Sequence, residues 1–250
     1  MAEETARGGL EWLPERVLCV SAHPDDSEFG FGATVARLAS EGSEVTYVVV
    51  TDGSQGGEDP AIPDAELTAT REAEQRAAAA VLGVREVRFL GVPDGHVVAD
   101  VALRGMIVRE IRRTRPQLVL TQSPARALVS GRIGVDHPDH LAVGEATLQA
   151  VYPDARNPRA FRELLGEGLE PVRVEEVWIA APQSGDHLVD VSGFVEKKLE
   201  ALACHRSQID NSSSARPRSA LERFIRERLA AQGEPAGYAA AEGFRRLVTR

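Results

Sequence analysis

Short apolar runs alternate along the chain with longer segments in which apolar positions recur every three or four residues. Val17 to Ser21, Val45 to Thr51, Val87 to Leu90 and Leu118 to Thr121 are mostly β-branched or aliphatic. Runs of this kind, without strict polar alternation, suit strands covered on both faces of a parallel sheet. Between them, Phe31 to Ser40, Leu67 to Leu82 and Val101 to Arg115 have helical spacing and stop at Gly42, Gly83 and Pro116. This alternation predicts an α/β fold, a Rossmann-like three-layer domain with a mostly parallel central sheet.

Beyond the fourth strand, Pro138 opens a helix that continues through Leu141, Val143, Ala146 and Leu148. Tyr152 to Pro171 is punctuated by Pro, Asn and Gly around a short helical piece, Phe161 to Leu165. Val174 to Ala180 and His187 to Val191 read as two closing strands, and Phe194 to His205 and Leu221 to Ala231 as helices. Asn211 to Arg218 reads as a polar linker, and Gly243 to Leu247 as an apolar anchor for the chain end. The expectation is a single domain over residues 1–250, with 1–15 an N-terminal extension and 211–218 the linker.

Composition narrows the partners. A formal charge of -9, with no concentrated basic face, argues against nucleic acid. The arginines of the third helix, Arg104, Arg109, Arg112, Arg113 and Arg115, read as a solvated face. Residues 1–7 lack the basic and apolar parts of a signal peptide, and no run approaches the roughly twenty apolar residues of a membrane span. The two cysteines, Cys19 and Cys204, make neither a disulfide framework nor a zinc clamp. A cytoplasmic protein is expected, and a homo-oligomer is compatible with the composition.

The candidate chemistry lies at the end of the first strand, in His23-Pro24-Asp25-Asp26. Ligands bind at the carboxyl ends of strands in open α/β sheets, and an imidazole with two carboxylates is costly to bury unpaired. A divalent cation is one economical partner, and a structural salt-bridge cluster is the other reading. His137-Pro138-Asp139-His140 repeats the pattern. His137 and His140 lie three apart at a helix start and can face the same way, so spacing alone does not separate their roles. Two histidines and one carboxylate would leave positions open for water and substrate, a catalytic rather than a structural zinc pattern.

These two tetrapeptides, with Ala22 before the first and Glu28-Phe29-Gly30 after it, resemble the signature motifs of the LmbE/PIG-L family of metal-dependent N-deacetylases. The resemblance runs from about Arg16 to the C-terminal segment. It implies that His23, Asp26 and His140 bind zinc, with another divalent metal such as Fe2+ also compatible. It further implies Asp25 as general base and a protonated His137 that polarises the carbonyl, oriented by Asp139. Arg71, in Arg71-Glu72-x-Glu74, becomes a substrate contact rather than a solvated side chain, and Asp94 a residue that reaches sugar hydroxyls rather than turn chemistry alone. The implied activity is hydrolysis of an N-acetyl group from an amino sugar, an N-acetylglucosamine conjugate or a related small amide.

Other features carry weaker expectations. The acidic, Gly- and Pro-rich loop from Asp52 to Asp64 reads as a mobile, substrate-side rim, and Ser123 to Asp136 must lie beside the metal. His96 reads as an exposed loop histidine and His187 as a packed or surface one. His205-Arg206-Ser207-Gln208 resembles a recurrent family segment. Two other classes compete: a non-catalytic metal-binding or regulatory domain, and a nucleotide-dependent sugar enzyme. The second is disfavoured because Val35 stands where a Gly30-Phe31-Gly32 fingerprint needs its third glycine.

Overall fold

The computed structural model describes residues 10, 12–126, 137–180, 185–209 and 218–249. Seven strands form one sheet: β1 (Arg16–Ser21), β2 (Glu44–Thr51), β3 (Glu86–Val92), β4 (Leu118–Thr121), β5 (Glu176–Ala180), β6 (His187–Asp190) and β7 (Ala241–Val248). Their order is β3-β2-β1-β4-β5-β7-β6, parallel from β3 to β5 and antiparallel at β7. The helices are α1 (Asp26–Ser40), α2 (Asp64–Leu82), α3 (Val101–Thr114), α4 (Pro138–Gln149), α5 (Val195–Leu202), α6 (Arg206–Ile209) and α7 (Arg218–Gly233). This is the expected α/β sheet with helices on both faces.

Alternation along β1 divides the core. Val17 and Cys19 join Phe31, Leu38, Tyr47, Leu82, Leu202 and Phe244 on one side, while Leu18 and Val20 join Val48, Ile107, Ile111, Val119 and Val143 on the other. The chain leaves β1 toward β2 on one flank and reaches β4 on the other. The strand order therefore reverses at β1/β4, the place where an open α/β sheet leaves a crevice. Both His-Pro-Asp tetrapeptides sit there.

Three elements differ from the sequence reading. Helix α1 begins at Asp26, five residues before the predicted start, and Phe31 marks a kink with φ -150° and ψ 21°. Its first turn escaped the periodicity because Ser27 and Glu28 are buried among polar partners. The chain end is strand β7, inserted between β5 and β6. Its alternation was short and interrupted by Arg245 and Arg246, whose place at the sheet is supported by Arg246 pairing with buried Glu176. Residues 211–217 of the expected linker and most of the 123–136 loop fall outside the described residues, and Arg218, read as the linker's last residue, opens α7.

The third correction concerns α3, where Arg115 is exposed as expected but Arg112 is buried and Arg104, Arg109 and Arg113 are partly buried in ion pairs. Arg112 is 2 % exposed and donates to the carbonyls of Asp154, Ala155, Asn157, Ala160 and Phe161. Arg104 pairs with Asp154, Arg109 with Glu167, and Arg113 with Glu86 and Glu110. A segment without regular ladders has carbonyls to satisfy, and a guanidinium with five donors satisfies several at once. Arg112→Met should therefore lose about 2–4 kcal/mol of stability, because buried carbonyls stay unpaired. Urea denaturation should show a lower midpoint at an unchanged slope.

Candidate active site

The centre is built by the turn that follows β1. The Ala22 amide donates to Oε1 of Gln122 at 2.8 Å, tying the carboxyl ends of β1 and β4 together. The chain then turns through Pro24 and Asp25, and Asp25 adopts φ 97° and ψ -26° before α1 starts. Oδ2 of Asp26 accepts from the His23 amide at 2.6 Å and lies 3.2 Å from His23 Nδ1. The N-terminal turn of α4 delivers His140 from the other flank. Its Nε2 is 3.1 Å from Oδ1 of Asp26 and 3.2 Å from His23 Nδ1.

These three donors, two imidazole nitrogens and a carboxylate, stand 3.1–3.2 Å apart. Ligands at roughly 2.0–2.1 Å from a tetrahedral zinc ion stand about 3.3 Å from one another, so the donor set fits one ion. Two ring nitrogens at 3.2 Å cannot both present lone pairs without repulsion, and a shared cation removes it. His137 lies at the outer edge, exposed, its ring centroid 4.7 Å from that of His23 and 5.5 Å from that of His140. His23, His137 and His140 could also offer three nitrogens to an ion, all within 4.8 Å of one another.

The far edge of the His23 ring is held by carboxylates. Nε2 lies 3.1 Å from Asp94 Oδ1 and 3.3 Å from Asp139 Oδ2, an arrangement that fixes tautomer and ring angle. Asp139 is itself anchored, accepting from the amides of Gly95 at 2.8 Å and Val97 at 3.3 Å. Its carboxylate thus serves His23, and it meets His137 through its backbone: the Asp139 amide donates to His137 Nδ1 at 3.2 Å. A neutral His137 with Nδ1 as acceptor carries its proton on Nε2.

Arg71 is buried at the junction of the loops after β1, β2 and β3. It donates from Nη2 to Pro24 O and from Nη1 to Gly53 O, both at 2.8 Å, and stands 3.7 Å from carboxylate oxygens of Asp25 and Asp94. Gly53 has φ 68°, and a Cβ there would meet Arg71 Nη1 at 3.0 Å, so glycine is what lets the loop close over the guanidinium. The loop after β2 is accordingly fixed at its base, with Asp52 accepting from the Asp94 amide and Gln55 donating to Asp94. Farther out, Gln55, Glu58, Asp59, Ile62, Ser207 and Gln208 line a cleft of about 310 Å³.

Charge is distributed unevenly over the two aspartates. Burial and the adjacent Asp26 charge raise Asp25 to about 6, against the pull of Arg71, His205 and His23. Asp26 is held well below the usual carboxylate range, since its hydrogen bonds to His140 and His23 outweigh burial. Burial opposes the charge on His23, but Asp26 and Asp94 raise it to about 10. Burial and the His23 charge lower His137, so its surroundings favour the neutral ring over the standing imidazolium expected from the sequence. Neighbouring carboxylates driven apart in this way take separate roles, one as an anionic ligand and one as a proton acceptor near neutrality.

His23, Asp25, Asp26, Arg71, Asp94, His137, Asp139 and His140 thus gather at this point. His96 is exposed as expected, and His187 packs on Trp178 away from the centre, with ring centroids 4.5 Å apart. Sequence reasoning missed Gln55, Gln75, Gln122 and the placement of His205. One signal was available: Leu67, Arg71, Gln75, Ala78 and Leu82 form a single buried stripe on α2, with two polar residues inside an apolar face.

Residues 18–151 match the family described as PIG-L: GlcNAc-PI de-N-acetylase. The chain is 32% identical over 231 residues to the diacetylchitobiose deacetylase of Thermococcus kodakarensis, covering 92% of this chain and 82% of that one. It is also 32% identical, over 240 residues, to the 1D-myo-inositol 2-acetamido-2-deoxy-alpha-D-glucopyranoside deacetylase of Actinosynnema mirum, covering 78% and 81%. Among solved structures, the N,N'-diacetylchitobiose deacetylase from Pyrococcus horikoshii, complexed with its inhibitor MPG, superposes with a TM-score of 0.84 at 29% identity, covering 94% and 84%.

In the metal-free protein, the Asp25 carboxyl should titrate with a midpoint near 6. An ordinary aspartate titrates at about 3.9. Site-resolved carbon NMR across pH 3–8 reads this directly, and a midpoint near 4 would show that burial and Asp26 do not act on it as described.

Proposed function

The chain belongs to the PIG-L family of GlcNAc-PI de-N-acetylases, and on that premise we propose that it hydrolyses the N-acetyl group of a small N-acetylglucosamine-containing substrate. The observation that carries the reading is the set His23, Asp26 and His140, with donors 3.1–3.2 Å apart beside an aspartate raised to about 6. These three residues would hold one divalent ion, which we assign as zinc. When bound, the ion supplies Lewis acidity and lowers the pKa of water toward neutrality.

The chain's own residues do the rest. Asp25, when ionised, accepts the proton of the attacking water, and Arg71 at 3.7 Å balances its charge. Asp94 and Asp139 keep the His23 ring in register with Asp26 and His140. His137, with its Nδ1 taken by the Asp139 amide, turns its N–H to the acyl oxygen as charge builds there. Asp25, protonated by the first step, is the acid available to the leaving amine, while the neutral His137 donates only a hydrogen bond. Arg71 and Asp94 act on the substrate chiefly through the loop and the imidazole they hold. The cleft lined by Gln55, Glu58, Asp59, Ser207 and Gln208 suits the hydroxyls of a sugar-sized remainder. Its acidic lining, with Asp25, Asp26 and Asp94 nearby, disfavours a nucleotide. Among the described residues no helix is long and apolar enough to cross a membrane.

Acetate release from a panel of N-acetylglucosamine conjugates and disaccharides, before and after chelation, tests the activity. Metal analysis tests the ion. His23→Ala and His140→Ala should each lose the tightly bound metal together with turnover, because three ligands leave no redundancy. His137→Ala should keep its metal and lose turnover by a factor of order 10²; loss of the metal would move His137 into the ligand set.

Asp25→Asn should retain metal and slow kcat by roughly 10²-fold to 10⁴-fold. In the parent protein, protonating Asp25 removes the base, so kcat/KM should fall on the acid side as pH drops through the Asp25 pKa of the metal-loaded enzyme. A flat acid limb, or full activity of the variant, would remove Asp25 from the mechanism.

A further inference from the structure

Asp25 occupies the left-handed region, at φ 97°, which a residue with a Cβ enters only when its surroundings over-determine it. A buried polar chain leads away from it. The Asp25 amide donates to Gln75 Oε1 at 2.8 Å, Gln75 Nε2 donates to Glu28 Oε1 at 3.0 Å, and His205 Nε2 lies 3.3 Å from Glu28 Oε2. Gln75 and Glu28 are 0 % exposed and His205 is 1 % exposed. None of the three belongs to the metal-donor set.

Each link constrains the next. A primary amide has a donor end and an acceptor end, and a flipped Gln75 would set its NH2 against the Asp25 N–H and its oxygen against the Glu28 carboxylate. Glu28 therefore fixes the orientation in which Gln75 can receive the Asp25 amide. Glu28 is itself fully buried, and the His205 N–H supplies its second oxygen with a partner, without which that oxygen would carry a desolvation cost. The segment carrying His205 is pinned in turn: the amide and hydroxyl of Ser207 donate to Glu74 at 2.8 and 2.6 Å, one residue before Gln75 on α2. Residues remote in sequence thus converge on one backbone amide.

We propose that Gln75, Glu28 and His205 are positioning residues for the deacetylation, fixing the left-handed turn at Asp25 and so aiming its carboxylate. This rests on Asp25 as the base. The test uses Gln75→Ala in the metal-loaded protein, with amide hydrogen exchange at Asp25 followed by NMR and acetate release from N,N'-diacetylchitobiose. The Asp25 amide should exchange at least 10-fold faster, and kcat should fall roughly 10-fold to 100-fold, since a small misplacement of a reacting group costs that much. KM and metal content should stay within about twofold. The paired exchange Glu28→Gln with Gln75→Glu retains an acceptor for the Asp25 amide and a donor between positions 28 and 75. It should recover at least about 10-fold in kcat over Gln75→Glu alone.

A slow Asp25 amide in Gln75→Ala overturns the chain of constraints without reference to turnover. Parallel loss of kcat, metal and melting temperature in every variant, with no recovery in the pair, also overturns it and leaves an ordinary structural role. Full activity of Asp25→Asn, by contrast, would overturn the base assignment beneath it.

Discussion

Too many like groups meet in too small a volume at the carboxyl end of β1. Asp25, Asp26, Asp94 and Asp139 surround His23 and His140, with Arg71 the guanidinium placed among them. Buried carboxylates without compensation would neutralise or pull the site apart. The arrangement persists because each charge has a stated partner: imidazoles for Asp26, backbone amides for Asp139, Arg71 for Asp25 and Asp94. The divalent ion proposed for His23, Asp26 and His140 would complete that balance, and the separation of donors suits it.

The sheet is arranged to make this concentration bearable. The strand order reverses between β1 and β4, so two loops and the N-terminal turns of α1 and α4 converge without competing for space. Arg71 and Gln122 close the gaps that remain, each bonding to the backbone of the first motif. At Gly144 of α4, a Cβ would meet Gln122 O at 2.5 Å, so the close seating of α4, and with it His140, depends on the missing side chain. The strained turn at Asp25 is the local expense of this crowding, and the buried chain through Gln75 and Glu28 sustains it.

Similarity to deacetylases of several sugar conjugates fits this division of labour. In the proposed reaction the central groups act on an acetamide, the group that the names of those relatives' substrates share. What differs between substrates must be met farther out, where the loop after β2 and the segment around Ser207 form the cleft. Loops there can vary without disturbing the donor set, because Arg71 and Asp52 tie the base of the loop to the centre.

By itself the sequence determined the strands β1 to β4, the helices between them and the chemistry at their ends. Apolar runs and helical spacing are local, and each His-Pro-Asp tetrapeptide carries its donors within four residues. It also gave the class of reaction, through paired motifs that are specific together. It did not give the partner of each charge. His23 meets His140 across 117 residues and His205 meets Glu28 across 177, and no periodicity encodes such distances. The same holds for Asp139, read as serving His137 but turned toward His23, and for Arg112, read as solvated but buried among carbonyls. Strand β7 escaped for a related reason: its pairing is decided by the open edges of β5 and β6 rather than by its own short pattern. Local sequence fixes which groups are available, while long-range packing decides which of them touch, because burial and desolvation are properties of the assembled fold.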